Sequence, residues 1–595
     1  MKSVYIFSLL LCLSTIAQAQ LSEPRLPQSL LHPVADAYIP VSLYVLPDWG
    51  QVLAAEQQGM PGPFRAGMPV MTDISFPASG TWTVLPGGRH VWQARVQITG
   101  APAMGLYYDA FELPQGARLF IKNENGRQVL GAYTNRNNAP DGRFAHEAVQ
   151  GGLLTLELDL EAGVPESAIR LHIDRVLVYF RAYEHLERYT ITDLAKPTDA
   201  DNLHLEGSAA LCHINAICPL GAHYPFARKA TVQTIYPNGD LCSATMINNT
   251  GNNTVNCKPY LLTATHCEAT NSMANTAFSQ MLIRFNFEKQ QCTGGPPAEV
   301  NTLTGAYFRA RANYIAAVPP SINGDFLLLE LRDKIPSAWG VYLSGWNRAD
   351  TLPATLAYPK RYIGFHHPAG DVKKIVASSA IGPGGDAGGS MGPGTHWQMY
   401  PVDSGGIEGG SSGSGLFDGE GRLAGIASVA GNPDPSCTVT GKPGHTANFY
   451  TFIQYSKLSL DWDYSPDGTD ASRKLEPWLD PQGSGVLTLD AMKSDCSASA
   501  NGIILPAALL PEDAVAVGPN PLRSGKLRVY IRLAEPANLQ VGIYDGTGIL
   551  RRSYTTGRVQ QDELTLDLSG LPQGMYLVRF NNGNATCTQK IIILP

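Results

Sequence analysis

The sequence predicts a mostly β protein built as three all-β units in series. Sixty glycines and 43 prolines in 595 residues break the backbone into short elements joined by turns. Runs such as "HVWQARVQITG" and "GGLLTLELDLEAG" alternate apolar and polar residues, the period of a half-buried strand. Cysteines are missing between Cys12 and Cys212 and then crowd together, which sets a cysteine-free first unit apart from a cross-linked second. The length itself exceeds what one core supports.

Residues 1–19 have the pattern of a removable export signal. Lys2 gives the positive start, 4–13 the apolar stretch, and Ala17-Gln18-Ala19 the small-x-small cleavage site. Leu11 precedes Cys12 where a lipoprotein site needs a small residue, so lipidation is not expected. No later apolar run has the length of a membrane span, and a net charge of -7 gives no reason to expect nucleic acid as a partner. Residues 20–206 read as a β-sandwich, with no cluster of histidine, cysteine and carboxylates to suggest a site. Its end, "LAKPTDADNLHLEGSAA" (194–210), is polar and aperiodic, the character of an exposed, cleavable connector.

Residues 207–495 hold most of the cysteines, and in an exported chain that clustering favours disulfides. The glycine-rich stretch "IGPGGDAGGSMGPG" (381–394) lacks the Gly-Lys-Ser/Thr ending of a phosphate cradle and reads as a mobile surface loop. "GIEGGSSGSGLFDGEGRLAGIASVAG" (406–431) places adjacent serines in a glycine-lined loop, followed by a hairpin signal at Asp418-Gly419. A nucleophile with an oxyanion hole requires such a loop. Upstream, "CKPYLLTATHCEA" ends an apolar strand in His266, next to Cys267, which places a general base. In "INGDFLLLELRDKIP", Asp325 opens a core strand, where a buried carboxylate must find a donor such as an imidazole N–H. Taken singly, such a histidine is more often structural and such an aspartate more often a turn residue. No cofactor and no metal are expected.

The order His266, Asp325, Ser412 is that of chymotrypsin-type proteases. "TATHC", "GDFLLLEL" and "GGSSGSG" resemble the trypsin-like superfamily and, more closely, the lysyl endopeptidase family, with further likeness in "CHINAICP", "MINNT", "HHPAGDVKK" and "ASRKLEPWLDPQGSG". The resemblance covers roughly 207–490. It implies a chymotrypsin-like double β-barrel and a serine endopeptidase acting on proteins or peptides. It also implies Ser412 rather than Ser411 or Ser414 as nucleophile, and an oxyanion hole from the backbone N–H groups of Gly410 and Ser412. From the family's bridges come the pairings Cys212–Cys437, Cys218–Cys292 and Cys242–Cys267. Cys257, Cys496 and Cys587 are left over, and a fourth bridge, Cys257–Cys496, is arithmetically open. The family usually has proline where this chain has Gly415, which is expected to loosen the following turn.

The pocket departs from the family. Trypsin-like enzymes place an acid six residues before the nucleophile, here Gly406; lysyl endopeptidases place one after the last core cysteine, where the nearest match is Thr446. Neither is acidic, and Asp434 stands on the other side of Cys437. Ser428, Val429 and Ala430 form the wall segment that would pair with substrate, and side chains at 429 and 430 narrow the pocket. A small or uncharged residue before the cut is therefore expected at least as readily as lysine.

After a linker at 496–514, residues 515–595 form a small C-terminal β-sandwich. "GPNPLRSGKLRV", "LSGLPQGMYLVRF" and "QKIIILP" resemble the sorting domains of the type IX secretion system of Bacteroidota. That resemblance implies the secretion machinery as a partner and a secreted or outer-membrane-surface location in a Gram-negative bacterium. A carbohydrate-binding or adhesive module is the alternative for this unit, and a silent surface adhesin on a protease fold the alternative for the whole chain. An esterase fits less well, because the triad order is not that of the α/β-hydrolases. The N-terminal sandwich lies where serine proteases carry a pro-region.

Overall fold

Successive side chains on a strand point to opposite faces, so the alternating runs become sheets with one buried side each. The computed structural model describes residues 21–32, 38–57, 63–190, 208–293, 300–315, 323–385, 391–434, 437, 449–463, 468–500, 502–503, 508–509, 514–582 and 585–594. The chain divides into two compact units, 1–503 and 504–595. The export signal and the connector at 191–207 lie outside the described residues.

The first unit opens with a β-sandwich. One sheet runs Val41–Tyr44, Arg89–Ile98, Leu153–Leu160, Ala117–Asn123, Val129–Tyr133, and the other Val149–Gln150, Ala103–Glu112, Arg170–Tyr179, Gly67–Ser75. Trp92, Val96, Ile121 and Leu156 of the first meet Leu106, Tyr108, Ile173 and Val176 of the second in one core.

Two further sheets follow. An eight-stranded sheet has Asn301–Thr304, Leu282–Phe285, Thr231–Ile235, Asp240–Ile247, Tyr260–Thr263, Leu327–Leu331 and Ala306–Arg311 in that order. A ten-stranded sheet contains Lys374–Ser378, Tyr362–His366, Gly415–Phe417, Leu423–Pro433, Tyr450–Lys457 and His396–Met399 as consecutive neighbours. One core spans both, from Val232, Leu262 and Leu328 to Phe365, Phe417 and Ile426. The hairpin after the serine loop forms as its turn residues predict, with Gly415–Phe417 antiparallel to Leu423–Pro433.

Two glycine readings change. Gly382–Gly384, expected in a loop, is a strand paired with His396–Met399. A Cβ on Gly384 would lie 2.7 Å from Gln454 Oε1, whereas one on Gly382 would meet nothing within 4 Å; residues 386–390 of the same run lie outside the described residues. Gly415 is tightly packed rather than loose: a Cβ there would lie 2.3 Å from Leu423 and 2.9 Å from Thr245.

Among the described residues four disulfides form, Cys212–Cys437, Cys218–Cys292, Cys242–Cys267 and Cys257–Cys496, and Cys587 is a buried free thiol. The fourth ties the segment just after 495 back to the loop before Tyr260–Thr263. The second unit is a six-stranded sheet dominated by the long hairpin Lys526–Asp545 and Leu550–Asp567, with Val529, Val541, Val578, Phe580 and Ile591 in its core. Among the described residues, no helix is long and apolar enough to cross a membrane.

The N-terminal sandwich is bonded to the eight-stranded sheet through buried polar groups. Arg284 and Glu147 meet at 2.6 Å and 2.9 Å, both buried, with Thr302 donating to the same carboxylate at 2.7 Å. The Gln280 side chain donates to the carbonyls of Tyr108 and Phe144 at 2.9 and 3.0 Å. Removing one partner of a buried ion pair strands the other charge. Glu147→Ala is therefore expected to destabilise the first unit by about 3–5 kcal/mol, and Glu147→Ala/Arg284→Met to recover most of that loss. Urea unfolding checks this; a single variant as stable as the parent contradicts it.

Candidate active site

The strand Tyr260–Thr263 ends in one 3-10 turn, Thr265–Cys267, that carries His266. Two devices hold the turn. Cys267 is bridged to Cys242 on the neighbouring strand. Arg311, fully buried, donates to the Thr265 hydroxyl and carbonyl (both 2.9 Å), to the Glu268 carbonyl (2.7 Å) and carboxylate (2.6 Å), and to the Ser272 carbonyl (3.0 Å). Its rigid fork of donors suits this task. Arg311 carries no signal in the sequence beyond being a cation at a strand end.

Asp325 lies two residues before the strand Leu327–Leu331 and has no exposed surface. Its carboxylate accepts from His266 Nδ1 at 2.7 Å, from the His266 backbone N–H at 3.3 Å and from the Ser428 hydroxyl at 2.5 Å. Burial pushes the Asp325 carboxyl up, but the charge and N–H of His266 and the Ser428 hydroxyl outweigh it, so the net direction is down. For His266 burial pushes down, and the charge and hydrogen bond of Asp325 overcome it, leaving the imidazole above its ordinary value. Ser428, expected in the pocket wall, sits where the pairing with Tyr450–Lys457 shifts register between Ala427 and Val429, which turns its hydroxyl to Asp325.

The serine loop packs onto the same turn. Gly413, at φ +81°, sits where a Cβ would lie 2.0 Å from the Thr263 hydroxyl and 2.8 Å from the Ala264 nitrogen, two residues before His266. Ser243 N donates to Ser412 O at 2.9 Å, and Gly413 N to Ala427 O at 2.9 Å. The three serines differ. Ser411 is buried, its hydroxyl accepting from Glu408 N at 3.2 Å and lying 2.8 Å from His366 Nδ1. Ser414 is buried as well, and Ser412 is the half-exposed one. Gly410 has φ +91°, and a Cβ there would lie 2.8 Å from the His367 carbonyl. The Gly409 carbonyl accepts from Ala369 N at 2.6 Å and the Ser411 carbonyl from Ser414 N at 3.1 Å. In a trans peptide the N–H points opposite to the carbonyl, so the N–H groups of Gly410 and Ser412 face away from these anchors.

At the pocket, a Cβ on Gly406 would lie 2.5 Å from the Phe449 ring, so Phe449 fills the place of a side chain at that position. Val429 and Ala430 are half-buried on the wall strand, paired with Gln454 and Ile453. Thr446 lies outside the described residues. A group that sequence reasoning missed lies behind Phe449. His213, whose side chain has no exposed surface, is 4.9 Å from that ring and 5.5 Å from His366 between ring centres, and 3.5 Å from Glu408. Burial, helped by Lys374, lowers the His213 imidazole to about 3, so it is neutral. Glu408 also accepts from the Ala210 backbone N–H at 3.0 Å, which anchors the segment after the connector to the serine loop.

Residues 206–445 match the family model described as lysyl endopeptidase, C-terminal domain, and residues 516–594 that described as secretion system C-terminal sorting domain. Solved structures give distant likenesses. A Glu endopeptidase structure is 15% identical with a TM-score of 0.22, covering 39% of this chain and 85% of its own. A dimeric latent PorU from Porphyromonas gingivalis is 10% identical with a TM-score of 0.12, covering 89% of this chain and 34% of its own. TM-scores this low leave the argument to the family matches and to the chain's own geometry. The sorting domain indicates secretion in Gram-negative Bacteroidetes, to the surface or beyond it. Residues 206–445 are therefore similar to the C-terminal domain of lysyl endopeptidases, and the chain ends in a stretch that matches the type IX secretion sorting domain.

Proposed function

We propose that the protein is a secreted serine endopeptidase in which Ser412 is the nucleophile, His266 the general base and Asp325 the group that orients it. The observation that carries this reading is the 2.7 Å contact of His266 Nδ1 with the buried Asp325 carboxylate, on a turn packed against the Ser412 loop. With Nδ1–H held by Asp325, Nε2 is left as the basic nitrogen. It takes the proton of Ser412 as the hydroxyl attacks the peptide carbonyl, then returns it to the leaving amine. The N–H groups of Gly410 and Ser412 bind the oxyanion, an interaction worth about 3 kcal/mol per donor. Water releases the acyl group by the same route in reverse.

Phe449 beside Gly406 and the side chains of Val429 and Ala430 favour a small or uncharged residue before the cut. Lysine recognition has no acid at Gly406. The sandwich is read as a pro-region. Cleavage between Lys196 and Ala210 leaves a start that Cys212–Cys437 and the Ala210–Glu408 bond keep docked beside the serine loop.

On a peptide library, Ser412→Ala is expected to abolish cutting, whereas Ser411→Ala and Ser414→Ala retain measurable turnover. Full activity in the Ser412 variant, or a dominant lysine before the cut, contradicts the reading. Asp325→Asn is expected to lower kcat by roughly four orders of magnitude, the size that a wrongly set tautomer causes. The base must be neutral to act, and Asp325 raises its pKa. The acid limb of kcat/KM is therefore expected to have its midpoint above 6.5 in the parent and to fall in Asp325→Asn, where burial acts alone. An unmoved midpoint removes Asp325 from the role. The uncleaved chain is expected to be a low-activity zymogen. N-terminal sequencing of the active species checks that, and a fully active species starting near Gln20 makes the sandwich a permanent domain.

A further inference from the structure

A short piece of the sandwich reaches the candidate site. Phe64–Arg65 adds a strand to the edge of Asp240–Ile247, with Arg65 opposite Asp240 and Phe64 opposite Leu241, and Ala66 N continues the ladder to Gly239 O at 2.8 Å. The residue after Leu241 is Cys242, bridged to Cys267 beside His266. On its other side the Phe64 ring rests on Gly409, next to Gly410, where a Cβ would lie 2.9 Å from the ring. Phe64 thus bridges the histidine side and the serine side of the candidate site.

Its polarity is informative. Along the protease strand, Asp240 to Leu241 to Cys242 leads toward the catalytic turn. In the antiparallel partner the same direction runs from Arg65 to Phe64 and onward toward the N-terminus. The chain therefore leaves the reacting centre in its N-to-C direction, as the amine half of a cut peptide does. Within this segment the cation is matched. Arg65 Nε lies 3.1 Å from Asp240 Oδ1, with the Asp240 side chain 4% exposed and that of Arg65 35%. Burial pushes the Asp240 carboxyl up, and Arg65 and Asn238 only partly offset it, so losing Arg65 leaves a poorly solvated acid facing the cleft. Arg181 of the sandwich lies over the Phe64 ring at 3.9 Å and donates to the Arg65 carbonyl at 2.7 Å, clamping the strand from behind.

We propose that Asp240 and Gly409 line a leaving-side subsite that takes a large apolar residue followed by arginine or lysine, and that Phe64–Arg65 fills it in the uncleaved chain. This rests on the serine endopeptidase reading and adds to it a second specificity element, on the side of the scissile bond opposite Gly406. The sandwich then blocks substrate by occupying the cleft with a strand of its own.

The test uses the full chain with two readouts. A fluorophosphonate probe reports Ser412 without reaching the leaving-side groove, and a peptide library reports cutting and sequence preference. Phe64→Gly/Arg65→Gly is expected to raise cutting of peptides with three or more leaving-side residues by roughly three- to tenfold, the worth of a half-exposed ion pair and its neighbours, with probe labelling nearly unchanged. Arg65→Gln, which removes the charge but keeps a polar side chain on the strand, moves in the same direction by less. In the loosened chain, arginine and lysine are enriched on the leaving side, and Asp240→Asn removes that enrichment. Probe labelling with no rise in cutting, or a cation preference untouched by Asp240→Asn, overturns the proposal. Absence of labelling in the parent, in all variants and in the processed protein overturns the peptidase reading itself.

Discussion

The buried carboxylate of Asp325 is the constraint on which the site depends. A charge with no solvent must be met by donors, and here they come from both sheets. His266, on the turn after Tyr260–Thr263, gives two N–H bonds; Ser428 and Ser456, on adjoining strands of the ten-stranded sheet, give a hydroxyl donor and an acceptor for the Asp325 N–H. Asp325 is satisfied only when the two sheets close in one register. Closing them in that register also holds His266 Nδ1 against Asp325, so folding and the orientation of that imidazole are one event.

The serine loop obeys the same geometry through its glycines. Gly413 fits only because it has no Cβ, and its N–H reaches Ala427, the neighbour of Ser428. Gly410 accepts a left-handed conformation against the His367 carbonyl. Each frees a neighbouring N–H or side chain for chemistry by tying a carbonyl elsewhere. The sandwich is held by a separate set of buried polar contacts around Glu147 and Arg284, on the far strands of the eight-stranded sheet. Those contacts position the Phe64–Arg65 strand. On the proposed pro-region reading, cutting the connector alone leaves these contacts intact, so the proposed activation also needs this interface to open.

Local chemistry made much of the site legible in the sequence. A histidine ending an apolar strand, an aspartate opening another and a serine in a glycine-lined loop each announce a special position within a few residues. The fourth disulfide was legible only as arithmetic, because pairing depends on where Cys257 and Cys496 meet in space. Arg311, the bond from Ser428 to Asp325 and the His213–Glu408 group were not legible, since each acts on residues distant in sequence or through a register shift. Gly382–Gly384 misled because a glycine-rich run signals a loop, and its pairing with His396–Met399 is not written in its own residues. Phe64-Arg65 was invisible for a similar reason. Nothing in "GPFRAG" says that its hydrogen-bond partner is a strand about 175 residues later in the chain.

The central claim is that Ser412, and neither of its serine neighbours, is the group His266 activates. The most direct measurement is mass-spectrometric mapping of the adduct formed when the exported protein reacts with a fluorophosphonate. The account predicts one modified peptide with the label on Ser412, formed faster as pH rises through the pKa of His266. A label on Ser411 or Ser414, or no adduct in a folded, processed protein, would contradict it.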